Sequence, residues 1–479
     1  MSSMLEPIES ISTQYEEEMI KLSDRIWEIP ETRFKEFESV KLQTTYLKEA
    51  GFEIEMGIGG IQTAFVAKYG SKGPIIGILG EFDALPGLSQ KAGSEVREPL
   101  IDGGNGHGCG HNLLGTAGIG AVRLLKDLID KGEIEGRIHY FGCPAEEGGS
   151  GKTFMVREGV FNDVDVALTW HPNSFTSVFN YSSLANYQVY FEFEGIASHA
   201  ANSPHLGRSA LDAVELMNVG VNYLREHVSS SARMHYAVTN TGGLSPNVVQ
   251  ANAEVLYLIR ANTIPEVDGI YKRIVKIAEG AAMMTGTKVK VKFDKACSNY
   301  IPNDTINKII YDKLQLVGLP AYNDEEIDYA KKMAKTITPS EFSSAIEEIK
   351  TIYEESRVDN LKDTDYPFYP EVVPYQKSTH TMAGSTDVAD VSWVVPTSQF
   401  FATCFVLGTP LHTWQLVSQG KTGLAHKGML YASKVLALTA IELLQNPDLI
   451  DQAKNELREQ TKGGYVNPIP KEVVPNRYG

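Results

Sequence analysis

Several carboxylates and imidazoles of this 479-residue chain stand directly behind segments that read as buried strands. GPIIGILG is followed by Glu81-Phe82-Asp83, RIHYFGC leads into Glu146-Glu147, and VDVALTW leads into His171. The Gly-rich stretch GGNGHGCG adds His107, Cys109 and His111 just ahead of a helical pattern, and GLAHKGM places His426 at the head of another. Thiolate and imidazole ligands suit zinc-like ions, and carboxylates accept Mn2+ as well. Two ions sharing a bridging ligand need about five protein ligands, and Cys109, His111, Glu147, His171 and His426 supply such a set. Glycines flanking Cys109 and His111 let the backbone approach an ion closely. Singly, each residue has an ordinary reading: a buried thiol, a core histidine, a solvated acidic turn, a helix-start histidine. Their placement behind successive strands favours a metal site, because ligands of open α/β sheets gather at strand carboxyl ends. His412, in PLHTWQ, reads as structural. EEGGSGKT between a strand and a helix is not a phosphate loop: a glutamate stands where the first glycine should be, and two carboxylates would repel polyphosphate.

The elements that must position these residues follow from periodicity. Residues 14–29 and 37–50 read as amphipathic helices. Leu113, Ala117, Ala121, Leu125 and Ile129 recur at four-residue spacing behind the Gly-rich loop. Strands alternating with helices predict an α/β catalytic domain with an open, mostly parallel sheet. Near Asn186 the pattern changes to period two, in NYQVYFEFEG and later KVKVKF, with helices at Ser209–Leu224 and about 266–284 between strands. That β-α-β-β-α-β order predicts an α+β module inserted at 187–297, between catalytic segments 1–186 and 298–479. Residues 320–380, charged and Pro-punctuated, read as a helical excursion plus a long loop. The strand FFATCFVLG and a helix over 426–445 complete the α/β pattern.

Composition narrows the function classes. Lys+Arg 44 against Asp+Glu 60 gives −16, which repels nucleic-acid backbones. Cys109, Cys143, Cys297 and Cys404 are too scattered for a disulfide framework, so a reducing, cytoplasmic setting is expected. The acidic N-terminus lacks the apolar segment of a signal peptide, and no apolar run is long enough to span a membrane.

At the residues just named the chain resembles the metal-dependent amidohydrolases of the M20 peptidase family. The matching stretches are WEIPETRFKEFES, GEFDALPGL, GHGCGHNLLG, PAEEGGSGKTFM, TWHP, GIASHAANSPHLGRSALDA, SPNVVQANAEVLYLIRA and GLAHKGM. The resemblance implies two divalent ions per subunit, Mn2+ or Zn2+. It makes Cys109 the bridge, His111 and His171 the other ligands of one ion, and Glu147 and His426 those of the second. It implies Glu146 as general base and Asp83 as the acid that orients a ligand. It puts His199 near the tetrahedral intermediate, in dimeric relatives from the neighbouring subunit, and Asn247 and Arg260 on the substrate carboxylate. The inserted module becomes a lid and dimerisation domain. Glu81 replaces the first acid of an Asp-x-Asp pair and is not expected to be a ligand. The implied substrate is an N-acyl amino acid, p-aminobenzoyl-glutamate in particular. Another acyl-amino-acid hydrolase, a dipeptidase, or a chain that works only with a partner are the alternatives. The implied assembly is a homodimer or a heterodimer with a related A-type subunit.

Overall fold

The computed structural model describes residues 4–353, 366–462 and 464–475. A seven-stranded sheet runs in the order 53–56, 65–69, 137–143, 75–81, 166–173, 397–403, 177–178. Its four central strands, from 137–143 to 397–403, are mutually parallel. Ile75–Glu81 and Thr397–Thr403 are buried along their whole length, as expected of strands covered on both faces. Because the central strands share a direction, their carboxyl ends open on one edge. The strand predicted to stop at Trp170 continues to Asn173, so His171 sits on the strand itself.

Helices cover the sheet. His111–Asp130 and Gly423–Gln445 pack together and against Leu5–Glu28, with Leu113, Ala117, Val435 and Leu436 in one apolar core. The four-residue recurrence read from the sequence thus marks the buried face of a real helix. Gly115 lets that helix come close to the sheet: a β-carbon there would lie 2.6 Å from the Glu81 carbonyl oxygen. On the other face lie Gly151–Arg157 and Val388–Val394, with Phe154, Met155, Val388 and Val391 in a second core.

A four-stranded antiparallel sheet is formed by 288–297, 185–194, 252–261 and 233–240, in that order. Helices Ala210–Leu224 and Ile264–Thr285 pack on it. KVKVKF alternates as expected, with exposed lysines and half-buried Val and Phe. The register then shifts at Asp294, and Asp294–Cys297 are all buried. Such bulges re-aim side chains. Asp294 meets Arg33 in a two-pronged buried ion pair of 3.0 and 2.7 Å and accepts a further hydrogen bond from Gln188. The neighbouring Lys295 points at the site described below.

Within 320–380 the structure gives two helices, Asp324–Ala334 and Pro339–Ile352, each opened by a capping box, Asn323 with Glu326 and Thr338 with Glu341. Residues 354–365 of that segment lie outside the described residues. No described helix is long and apolar enough to cross a membrane.

Replacing Arg33 by Ala leaves Asp294 buried without its cation. Loss of one partner of a buried pair costs about 3–5 kcal/mol. Chemical denaturation of R33A is expected to show that loss; a change below about 1 kcal/mol would count against the pair.

Candidate metal centre and substrate cavity

The carboxyl ends of the four parallel strands deliver the site. The Ile75–Glu81 strand ends in Glu81 and is followed by Asp83. The Arg137–Cys143 strand leads to Ala145, held at φ 59°, and then Glu146 and Glu147. Gly110, at φ 78°, turns the chain between Cys109 and His111, and a β-carbon there would strike Pro172 at 2.7 Å. The loop after Thr397–Thr403 carries His412, itself at φ 61°, whose backbone N–H donates to the Gly108 carbonyl at 2.7 Å. Left-handed backbone at non-glycine residues costs on the order of 1–3 kcal/mol each and gathers where function fixes the chain.

Donor atoms of Cys109, His111 and His171 lie within 4.8 Å of one another, and so do those of Cys109, Glu147 and His412. Cys109 belongs to both groups. Its Sγ is 3.3 Å from His171 Nε2, and Glu147 Oε1 is 3.3 Å from His412 Nε2. Asp83 fixes two of these residues: one oxygen is 3.0 Å from His111 Nδ1, and the other accepts from the Glu147 backbone N–H at 3.0 Å. His171 Nδ1 donates to the Pro172 carbonyl at 2.8 Å, which leaves Nε2 as the bare nitrogen facing Cys109. Burial and the nearby His111 lower its pKa to about 4, keeping it neutral.

The arrangement fits cations. His111 Nε2 and Glu147 Oε1 are buried and form no hydrogen bond of good geometry, although Glu81 Oε2 and His412 Nε2 lie 3.2 and 3.3 Å away, and poorly satisfied buried polar atoms are costly. Burial, then Glu147, pushes the Cys109 thiol well above its usual pKa, so a thiolate here requires a bound positive charge. Burial opposes ionisation of Glu147, but the His412 and His111 imidazoles outweigh it and bring its carboxyl to about 2. Glu146 goes the other way: burial, with Glu81, Asp387 and Glu147, holds it well above the carboxylate range.

His426 does not join the cluster. Its Nε2 pairs with Asp24 at 2.8 Å, and His412, read as structural from the sequence, lies beside Cys109 and Glu147. The signal was available: PLHTWQ follows a strand carboxyl end, as the other site residues do, whereas His426 lies in the first turn of a helix. His107 is a core histidine bonded to the Ile26 carbonyl. Lys152, from the rejected phosphate-loop segment, is fully buried and bridges Glu81 and Asp387 at 2.6 Å each. Glu81 Oε2 also comes within 3.2 Å of His111 Nε2.

Beside the cluster is a cavity of about 490 Å³. Arg260 lines it and donates to Ser385 at 3.1 Å. Lys295 lines it as well and donates to the Glu147 carbonyl at 3.3 Å. His199 and Asn247 are exposed and outside the cavity. They neighbour each other, with Ala200 N–H donating to the Asn247 carbonyl at 2.9 Å.

Residues 77–291 match the profile of Peptidase family M20/M25/M40. The chain is 51% identical to the B-type subunit of p-aminobenzoyl-glutamate hydrolase from Escherichia coli K12, covering 95% of each protein. The chain belongs to the M20 family. It is also 28% identical to the A-type subunit of that hydrolase in E. coli, over 49% of this chain and 55% of the relative. Among solved structures, a dinuclear metal-binding M20 peptidase of Bacillus subtilis shares the fold, with TM-score 0.54 and 17% identity over 90% of this chain and 99% of that one. The mostly parallel sheet with a separate antiparallel sheet is thus an M20 architecture.

Metal analysis separates the two histidines. His412→Ala is expected to lose bound metal and His426→Ala to retain it; the reverse result would restore His426 to the site. Glu36 gives a second prediction. Its Oε1 accepts from the N–H groups of Phe34 and Ala145, both at positive φ. Burial, then Asp83, raises its pKa to about 8. The folded chain therefore retains a proton that the unfolded chain releases at an ordinary carboxylate pKa. Stability falls as pH rises through that window, and the loss is complete above about 8. Glu36→Gln is expected to flatten this slope in denaturation midpoints measured from about pH 5 to about pH 8.

Proposed function

We propose that this chain hydrolyses the amide bond of N-acyl amino acids with two divalent cations, Mn2+ or Zn2+. Its proposed substrate is p-aminobenzoyl-glutamate, released as p-aminobenzoate and glutamate. The observation that carries this reading is the convergence of Cys109, His111, Glu147, His171 and His412, with poorly satisfied buried donors, beside a cavity holding Arg260 and Lys295. In this reading Cys109 is shared, His111 and His171 complete one ligand set, and Glu147 and His412 complete the other. When bound, the cations lower the pKa of water and polarise the scissile carbonyl.

The remaining work falls to the chain. Glu146 takes the proton of the attacking water and passes it to the leaving amine, a base that becomes an acid. Asp83 positions His111 and Glu147 through its two oxygens. Arg260 forks onto the free α-carboxylate of the amino-acid half, and Lys295 offers a second cation for a glutamate side chain. Both stand among several carboxylates that also line the cavity, so they are its points of anion recognition.

The exposure of His199 and Asn247 favours a site completed across an interface. In this reading they serve a neighbouring protomer, in a homodimer or in a heterodimer with an A-type subunit. The module at about 187–297 then acts as lid and interface between two halves of one catalytic domain. A cytoplasmic location goes with the four free, buried cysteines.

Glu146→Gln is expected to keep its bound metal and lose about 10²–10⁴-fold in kcat; loss of metal instead would make Glu146 a ligand. Arg260→Ala is expected to raise KM for substrates with a free carboxylate and leave an α-amidated analogue unaffected. Equal effects on both would remove Arg260 from carboxylate recognition.

A further inference from the structure

Lys152 and Glu81 meet just behind the metal centre. Lys152 is the second residue of the helix Gly151–Arg157, which follows the turn carrying Glu146 and Glu147, and its side chain is fully buried. Its ammonium lies 2.6 Å from Glu81 Oε1 and 2.6 Å from Asp387 Oδ1, and its backbone N–H donates to Asp387 Oδ2 at 2.8 Å. The other oxygen of Glu81, Oε2, is 3.2 Å from His111 Nε2. Glu81 thus stands between a fixed cation of the protein and an imidazole of the centre.

Donor atoms of Glu81, His111 and Glu146 also lie within 4.8 Å of one another, so His111 belongs to two possible ligand sets. The set with Cys109 and His171 offers sulfur and nitrogen, which suit zinc-like ions; the set with Glu81 and Glu146 offers oxygen, which suits harder ions. In the second set Glu146 is consumed as a ligand and is no longer free to carry a proton. The charge on Glu81 decides between them, because a buried carboxylate without a cation recruits one. Lys152 supplies that cation from within the chain. A neighbouring buried carboxylate does without an ammonium: Asp390 accepts from the hydroxyls of Thr153, Ser298 and Tyr465 at 2.6, 2.7 and 2.8 Å. The ammonium stands instead at the carboxylate that faces His111.

We propose that Lys152 is a positioning residue that holds Glu81 out of the metal ligand set. It thereby directs a cation bound at His111 to Cys109 and His171 and leaves Glu146 free as the base. The inference rests on the metal-centre reading above and deepens it.

Two charge-conserving double variants of the full chain test it. K152M/D387N leaves Glu81 ionised and without its cation, whereas K152M/E81Q leaves Asp387 so. Zinc affinity is measured by competition with a chelator, and the Co2+-loaded protein is read by its thiolate-to-metal absorption. K152M/D387N is expected to lose about 10–100-fold in zinc affinity, the usual cost of disturbing the groups around a ligand, and to show a weaker thiolate band. K152M/E81Q is expected to match the wild type in both. Equal loss in the two variants makes Lys152 merely structural and overturns the proposal; so does no loss in either, or loss in K152M/E81Q alone. If K152M/D387N does not fold, K152M/E81Q decides: wild-type zinc affinity supports the inference and a loss overturns it. If neither folds, Glu81→Gln decides in the same way, since loss of zinc there makes Glu81 a ligand. A wild type that binds no zinc, or whose Co2+ form has no thiolate band, overturns the metal centre itself. A normal wild type with indistinguishable double variants overturns the role of Lys152 alone.

Discussion

Both oxygens of Asp83 are committed, one to the His111 imidazole and the other to the Glu147 backbone, and the geometry of the centre hangs on that division. His111 begins a helix and Glu147 follows a strand, so a single buried carboxylate ties the start of that helix to the turn after the strand. It fixes the His111 ring and turns Nε2 toward the cluster, within 3.2 Å of Glu81 Oε2. It also anchors the turn on which Glu146 and Glu147 sit side by side. Glu36 secures the same turn one residue earlier by accepting from Ala145. The strained backbone at Ala145 is held by this surrounding lattice of hydrogen bonds rather than by local propensity.

Much of this was readable in the residues, for physical reasons. Buried parallel strands carry uninterrupted apolar runs, and their ends are followed by the chemical residues, so Glu81, Asp83, Glu146, Glu147 and His171 could be placed. The four-residue recurrence after His111 marked a helix that the structure buries deeply. The period-two stretches near 187 and 288 became the antiparallel sheet. His426 and His412 show the limit. His426 sits at a helix start, where an imidazole looks poised, but its orientation is decided by Asp24, some 400 residues away in the chain. His412 lies in an irregular loop whose conformation depends on a tertiary hydrogen bond to Gly108, and periodicity says nothing about such a contact.

The charged segment after residue 320 was legible only in part. Its capping boxes, Asn323 to Glu326 and Thr338 to Glu341, are sequence signals of helix starts. The helix Pro339–Ile352 also supplies a wall of the cavity, which no local pattern could indicate. Lys152 is a similar case. The sequence excluded a phosphate loop around it but gave no role for the ammonium, which the structure uses as a buried counter-charge between Glu81 and Asp387, where its hydration is replaced by two carboxylates.

The sheet order has a consequence for how the chain is made. The strand at 397–403 pairs with one at 166–173, and the antiparallel sheet is synthesised between them. Pairings this distant in sequence are slow to close. A nascent chain that has produced Cys109, His111, Glu147 and His171 still lacks the edge that delivers His412. The centre therefore closes only near the end of translation, and a chain cut short before the last parallel strand lacks one of the groups that Cys109 joins.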